Sequence, residues 1–230
     1  MHQPIVFLPG LICDARLWRD VIDGMADMLA PVVADLRLDE TIAAMAARTL
    51  AAAPPRFALA GLSMGGYVAL EIMRQAPERV THLALFDTSA RADTEERRET
   101  RRKGIEMIGQ GKFIGVSRGL LGQLIAPHNL GTTLAEDVQA MSERVGPDAY
   151  IRQQKAIMGR QDSVPFLSRI AVPTLVGVGA LDKMTPPELA EEMAAHIPTA
   201  TLVHFPDAAH LPTMENPAAV IAAMRDWLAR

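Results

Sequence analysis

The stretch that most constrains the fold is residues 57–75, FALAGLSMGGYVALEIMRQ. An apolar run of strand length, Phe57-Ala58-Leu59-Ala60, leads into Gly61-Leu62-Ser63-Met64-Gly65, and from Tyr67 nothing breaks a helix until Pro77. A strand that becomes a helix across one sharp turn folds back on itself, so the residues two before and two after the apex must be small. Gly61 and Gly65 meet that demand. Such a turn holds its central residue in a strained conformation, whereas the same five residues in an ordinary loop would be only a Gly-rich turn.

Strand-length runs alternate with helical patterns on both sides of this unit. Ile5-Val6-Phe7-Leu8 ends at Pro9-Gly10 and reads as a central parallel strand. Over 14–29, Leu17, Trp18, Val21, Ile22, Met25, Met28 and Leu29 follow the three-four spacing of a helix with one buried face, and Trp18 reads as core. Pro31-Val32-Val33-Ala34 is a second strand, 41–53 a helix stopped by Pro54-Pro55, and His82-Leu83-Ala84-Leu85-Phe86 a fourth strand after the Ser63 unit. This alternation predicts an α/β fold, a parallel sheet with helices on both faces.

After Asp87 the alternation stops. Residues 91–166 show helical patterns over 93–103, 113–125, 134–145 and 148–158, with breaks at Gly111, Pro127, Gly131, Gly146 and Pro147. The first of these carries acids early and bases late, as a solvated helix does, and allows an i,i+4 pair of Glu99 with Lys103. The alternation resumes with strands at 173–178 and 201–205 and helices at 187–195 and 217–228. The expected organisation is therefore a core of 1–90 and 167–230 with a helical cap, or lid, of 91–166.

A chain of 230 residues that is 49% hydrophobic has the material for one domain. The single cysteine, Cys13, has no internal disulfide partner, and the start Met1-His2-Gln3-Pro4 lacks the pattern of a signal peptide, so a cytoplasmic location is expected. No apolar run reaches membrane-spanning length, and a net charge of −4 gives no general attraction to nucleic acid. Neither a membrane nor a nucleic acid is expected as partner, which leaves a small molecule.

Ser63 at the apex of the turn is a candidate nucleophile, but a hydroxyl needs a base within hydrogen-bonding reach and a group to orient that base. Of the six histidines, His210 lies just after the last strand, in Pro206-Asp207-Ala208-Ala209-His210-Leu211-Pro212, where it can reach across the carboxyl edge of the sheet. The orienting acid is best placed at Asp182, directly after the fifth strand. Asp87 is the runner-up, and Asp207 is too close to His210 in sequence. The oxyanion donors would be backbone N–H groups, Met64 at the start of the helix after Ser63 and Leu11 in the loop after the first strand. No cofactor or metal is required by this chemistry. Cys13 reads as a packing residue.

With Ser63, Asp182 and His210 in that order and the loop after Leu8, the chain resembles the α/β-hydrolase superfamily, above all small bacterial carboxylesterases and enol-lactone hydrolases. Thr185-Pro186-Pro187 after the acid and Glu215-Asn216-Pro217 after the histidine match motifs of those relatives. The resemblance implies the family's strand order 4-3-5-6-7-8. The chain begins at what would be the third strand, so about six parallel strands are expected. Pro9-Gly10 stands where many relatives carry His-Gly. An exposed edge near Val32 would suit a homodimer.

The expected reaction is hydrolysis of a small carboxylic ester. Lactone, thioester or carbon-carbon bond hydrolysis uses the same parts, and lyases, cofactor-free peroxidases and ligand receptors share the fold. Expected substrate contacts are Ile12 and Leu211 beside the two loops, and Arg152 and Met158 from the last cap helix.

Overall fold

The computed structural model describes residues 2–111 and 113–230. Six strands form one sheet: β1 Gln3–Leu8, β2 Leu29–Val33, β3 Phe57–Leu62, β4 Val80–Phe86, β5 Thr174–Gly179 and β6 Ala200–Phe205. All neighbours are parallel, in the order β2-β1-β3-β4-β5-β6. This is the strand order that the resemblance to α/β hydrolases implies. The winding direction reverses between β1 and β3, which pair Leu8 with Gly61. At such a switch point the loops beyond the strands' carboxyl ends part and leave a crevice.

Period-two alternation divides the core. Ile5 and Phe7 face α1 Arg16–Gly24, α8 Pro212–Glu215 and α9 Pro217–Leu228; Val6 and Leu8 face α2 Ile42–Ala52, α3 Met64–Gln75 and α7 Pro187–His196. Trp18 is fully buried, its ring 4.8 Å from Phe7 and 5.8 Å from Phe86. Helix α1 is shorter than the apolar spacing predicts, because Leu29 pairs with Gln3 and begins β2. Sheet pairing overrides helical periodicity there.

Between β4 and β5 lie α4 Glu95–Gly109, α5 Arg118–Leu124 and α6 Thr133–Met158. Glu99 in α4 pairs with Arg102 at 3.0 Å rather than with Lys103. Helix α5 starts only at Arg118, after Gly115 at φ 58° and a Ser117 cap. The break at Gly146-Pro147 is present as a kink in α6, with Gly146 at φ 78° and ψ 173°. Val116, Leu121, Val138 and Met141 of this stretch share one apolar cluster with Ile12 and Leu211.

The tightest packing is at the turn after β3. A Cβ on Gly65 would fall onto the Leu8 carbonyl, and one on Gly61 onto the Gly65 carbonyl. Both obstacles are backbone and cannot rotate aside. Gly65→Ala is expected to cost about 3 kcal/mol, seen as a lower urea midpoint at unchanged m-value. An unchanged midpoint would contradict this packing.

Candidate active site

Ser63 sits at φ 54°, ψ −115°, a region outside the allowed wells that costs about 1–3 kcal/mol to hold. Its N–H donates to the Phe86 carbonyl at 3.0 Å, and its carbonyl accepts from Gly66 N–H at 2.9 Å and the Thr88 hydroxyl at 2.7 Å. These bonds fix the strained turn and aim the side chain away from the sheet.

His210 and Asp182 converge on it from the ends of β6 and β5. His210 Nε2 lies 3.0 Å from Ser63 Oγ, and His210 Nδ1 lies 2.8 Å from Asp182 Oδ2. Asp182 Oδ1 accepts from Met184 N–H at 2.8 Å and Thr185 N–H at 3.1 Å, and Oδ2 accepts from the Thr185 hydroxyl at 2.7 Å. Thr185 thus does more than precede a helix. The His210 loop is braced by Glu215, whose carboxylate accepts from Ala209 N–H at 2.9 Å and Ala126 N–H at 2.6 Å, while His210 N–H donates to the Leu124 carbonyl at 3.0 Å. The Glu-x-Pro motif is visible in the sequence, but this bracing role is not.

Two buried acids lie side by side here. Burial pushes the Asp182 carboxyl up, but the His210 imidazole and the Thr185 donors outweigh it and hold the group below its ordinary value. Burial, then the neighbouring Asp182 charge, raises Asp87 well above its ordinary value. Asp87 Oδ1 accepts from Gly179 N–H at 2.8 Å, and one ligand-type atom from each of Asp87, Asp182 and His210 falls within 4.8 Å of the others. That spacing could suit a cation, yet His210 Nδ1 and Asp182 Oδ2 are bonded to each other and burial disfavours the charged form of Asp87.

The raised Asp87 gives a pH dependence. The folded state keeps this proton above the unfolded value of about 3.9, so its contribution is complete below that pH and is lost as pH rises toward the folded value. Asn carries no such loss. The melting temperature of Asp87→Asn relative to wild type should therefore rise between pH 4 and pH 8, and a difference that stays constant in thermal melts would contradict the assignment.

The loop after β1 lies against the same turn: a Cβ on Gly10 would stand 3.5 Å from the Ser63 Cβ. Ile12, at φ 51°, donates its N–H to Gln153 Oε1 at 3.0 Å, and Gln153 Nε2 donates to the Leu36 carbonyl at 3.2 Å. Among the described residues the Leu11 and Met64 N–H groups donate to no protein acceptor. Burial and then the Asp14 charge push the Cys13 thiol up to about 12, which disfavours its thiolate at neutral pH.

Two cavities meet at Ser63 and His210. One, of about 70 Å³, is walled by apolar side chains that include Ile12, Val116, Leu124 and Leu211; the other, of about 410 Å³, is bounded by Tyr67, Tyr150, Gln154 and Ile157 among others. Ile12 and Leu211 thus lie where the sequence predicts. Arg152 does not: its Nε donates to the Arg37 carbonyl at 2.7 Å, away from both cavities, and Met158 lines neither. The inward face of α6 is Tyr150, Gln153, Gln154 and Ile157, at spacing i, i+3, i+4 and i+7, so its neighbours Arg152 and Met158 fall on the flanks. Two glutamines on that face hide it from a reading of apolar periodicity.

A family model described as alpha/beta hydrolase fold matches residues 39–217. The chain belongs to the α/β-hydrolase family. This α/β hydrolase superposes on a thermophilic esterase from Thermogutta terrifontis, solved with malate bound, with a TM-score of 0.92 and 31% identity, covering 100% of this chain and 90% of that one. It is 30% identical over 189 residues to a Mycobacterium tuberculosis protein named as a non-heme bromoperoxidase, across 79% of this chain and 70% of the other. It is also 24% identical over 242 residues to the pimeloyl-[acyl-carrier protein] methyl ester esterase of Aliivibrio salmonicida, across 97% and 91% of the two. The family agrees with the resemblance read from the sequence, and its esterase-named members fit a hydrolase. No helix among the described residues is long and apolar enough to cross a membrane.

Proposed function

We propose that this α/β hydrolase is a serine hydrolase of small carboxylic esters that works through an acyl-enzyme. The observation that carries the reading is the unbroken relay from Ser63 Oγ through His210 to Asp182, at 3.0 and 2.8 Å, on a strained turn. Ser63 Oγ attacks the acyl carbon while His210 Nε2 takes its proton, and Asp182 holds the imidazole in the tautomer that accepts it. Leu11 and Met64 N–H groups bind the oxyanion, each lowering the barrier by about 2.7–4 kcal/mol. The alcohol leaves with the proton from His210. Water, deprotonated by His210, then releases the acid. Residues 91–166 act as the lid that shapes the pocket. The same parts would open a lactone or thioester or cleave a carbon-carbon bond, so the substrate decides the bond.

The bromoperoxidase name of one relative favours a second reading, in which hydrogen peroxide replaces water in the second step and a peracid leaves. Release of p-nitrophenol from acetyl to octanoyl esters, with and without peroxide, tests both. A burst followed by steady turnover is expected. No release from any ester would sink the esterase reading.

A further inference from the structure

The larger cavity beside Ser63 is charged with one sign. Arg97, Arg101 and Lys183 line it and no acidic side chain does, in a chain whose net charge is −4. The open cleft of about 550 Å³ near α1 makes the contrast: its four arginines are matched by three aspartates, and Arg16, Arg37 and Arg144 are each paired there at 2.7–2.8 Å. Near Ser63, Arg97 and Lys183 are not spent in this way. Lys183 has no ion pair among the described residues, and Arg97 makes only a 3.5 Å bond, from Nη2 to the Met184 carbonyl.

Arg101 is held in place and still has donors to spare. Its Nε donates to Asp93 Oδ2 at 2.7 Å and its Nη1 to Gln154 Oε1 at 2.6 Å, leaving Nη2 of a guanidinium with five N–H donors. Asp93 also pairs with Arg160 at 2.8 Å. One carboxylate between two guanidinium groups leaves a net positive charge. Apolar walls such as Ile12, Leu120 and Ile157 focus that field into the cavity. The small cavity that also reaches Ser63 is lined by no Asp, Glu, Lys or Arg side chain.

The geometry points to a substrate class: an ester with a short apolar group on one side of the scissile bond and a carboxylate on the other. The apolar group fills the cavity of about 70 Å³, and the carboxylate is received by Arg97, Arg101 and Lys183. This inference rests on the hydrolase reading and adds to it what is hydrolysed. One water is added across the acyl carbon-oxygen bond, and an alcohol and a carboxylic acid are released.

The test compares matched esters. Monoethyl adipate carries the carboxylate on the acyl side and has ethyl hexanoate as its neutral partner; 4-butanoyloxybutanoate carries it on the alcohol side and has butyl butanoate. At low salt, at least one charged ester should exceed its neutral partner in kcat/KM by roughly tenfold or more, as one charge-assisted hydrogen bond gives. The ratio should fall toward one in the double variant Arg97→Gln/Lys183→Gln, whose altered residues are both exposed, and in about 1 M salt, where screening acts within about 3 Å. Taking the ratio cancels any general loss of activity.

Turnover of the neutral esters with ratios of one or below would overturn the inference and leave the hydrolase standing. If none of the four esters turns over, calorimetry of monoethyl adipate with Ser63→Ala reads the subsite on its own. Binding lost in the added Arg97→Gln/Lys183→Gln background would uphold the site, and no binding, or binding indifferent to those changes, would overturn it.

Discussion

Ser63→Ala is expected to lower kcat by about 10⁶-fold for any ester the protein turns over, with its unfolding temperature unchanged. Alanine keeps the Cβ, so the backbone at φ 54° and the packing of the turn stay as they are. Only the hydroxyl that the proposed mechanism uses is removed, and His210 Nε2 is left with no Ser63 Oγ beside it. The free N–H groups of Leu11 and Met64 would still polarise a bound carbonyl, and that accounts for a small residual rate. Activity within tenfold of wild type would mean that the reacting group lies elsewhere.

Asp182→Asn should cost about 10⁴-fold in kcat. The amide can present an N–H to His210 Nδ1 and so favour the tautomer whose Nε2 carries the proton and cannot take one from Ser63. Asp87→Asn is the control, because Asp87 is as deeply buried as Asp182 but bonds to Gly179 N–H and not to the imidazole. Its kcat should change little. Comparable losses from the two substitutions would show that the acid is shared between them.

Much of this arrangement is legible in the sequence because it rests on local rules. Continuous apolar runs such as Phe57 to Ala60 mark buried parallel strands, and Gly61 and Gly65 mark a turn that backbone atoms crowd on both sides. Ser63, Asp182 and His210 can be picked out because each follows a strand at the same edge of the sheet. Where long-range contacts decide, the reading fails. Leu29 leaves its helical pattern to pair with Gln3, Gln153 is drawn inward by Ile12 and Leu36, and Arg152 turns out to the Arg37 carbonyl. The cations beside the site escape notice for a similar reason. In sequence, Arg97 and Arg101 belong to a solvated charged run, and only the fold, which brings Arg97 within reach of the Met184 carbonyl, sets them at one cavity with Lys183.

The central claim is that Ser63 forms a covalent acyl-enzyme, and an active-site-directed phosphonate tests it most directly. The protein would be incubated with a p-nitrophenyl phosphonate ester, digested and mapped by mass spectrometry. The account predicts one phosphonyl group per chain, carried by Ser63, with loss of esterase activity in proportion to labelling and no label on Ser63→Ala. Undiminished ester hydrolysis by unlabelled protein, or label on another residue such as Cys13 with Ser63 unmodified, would contradict it.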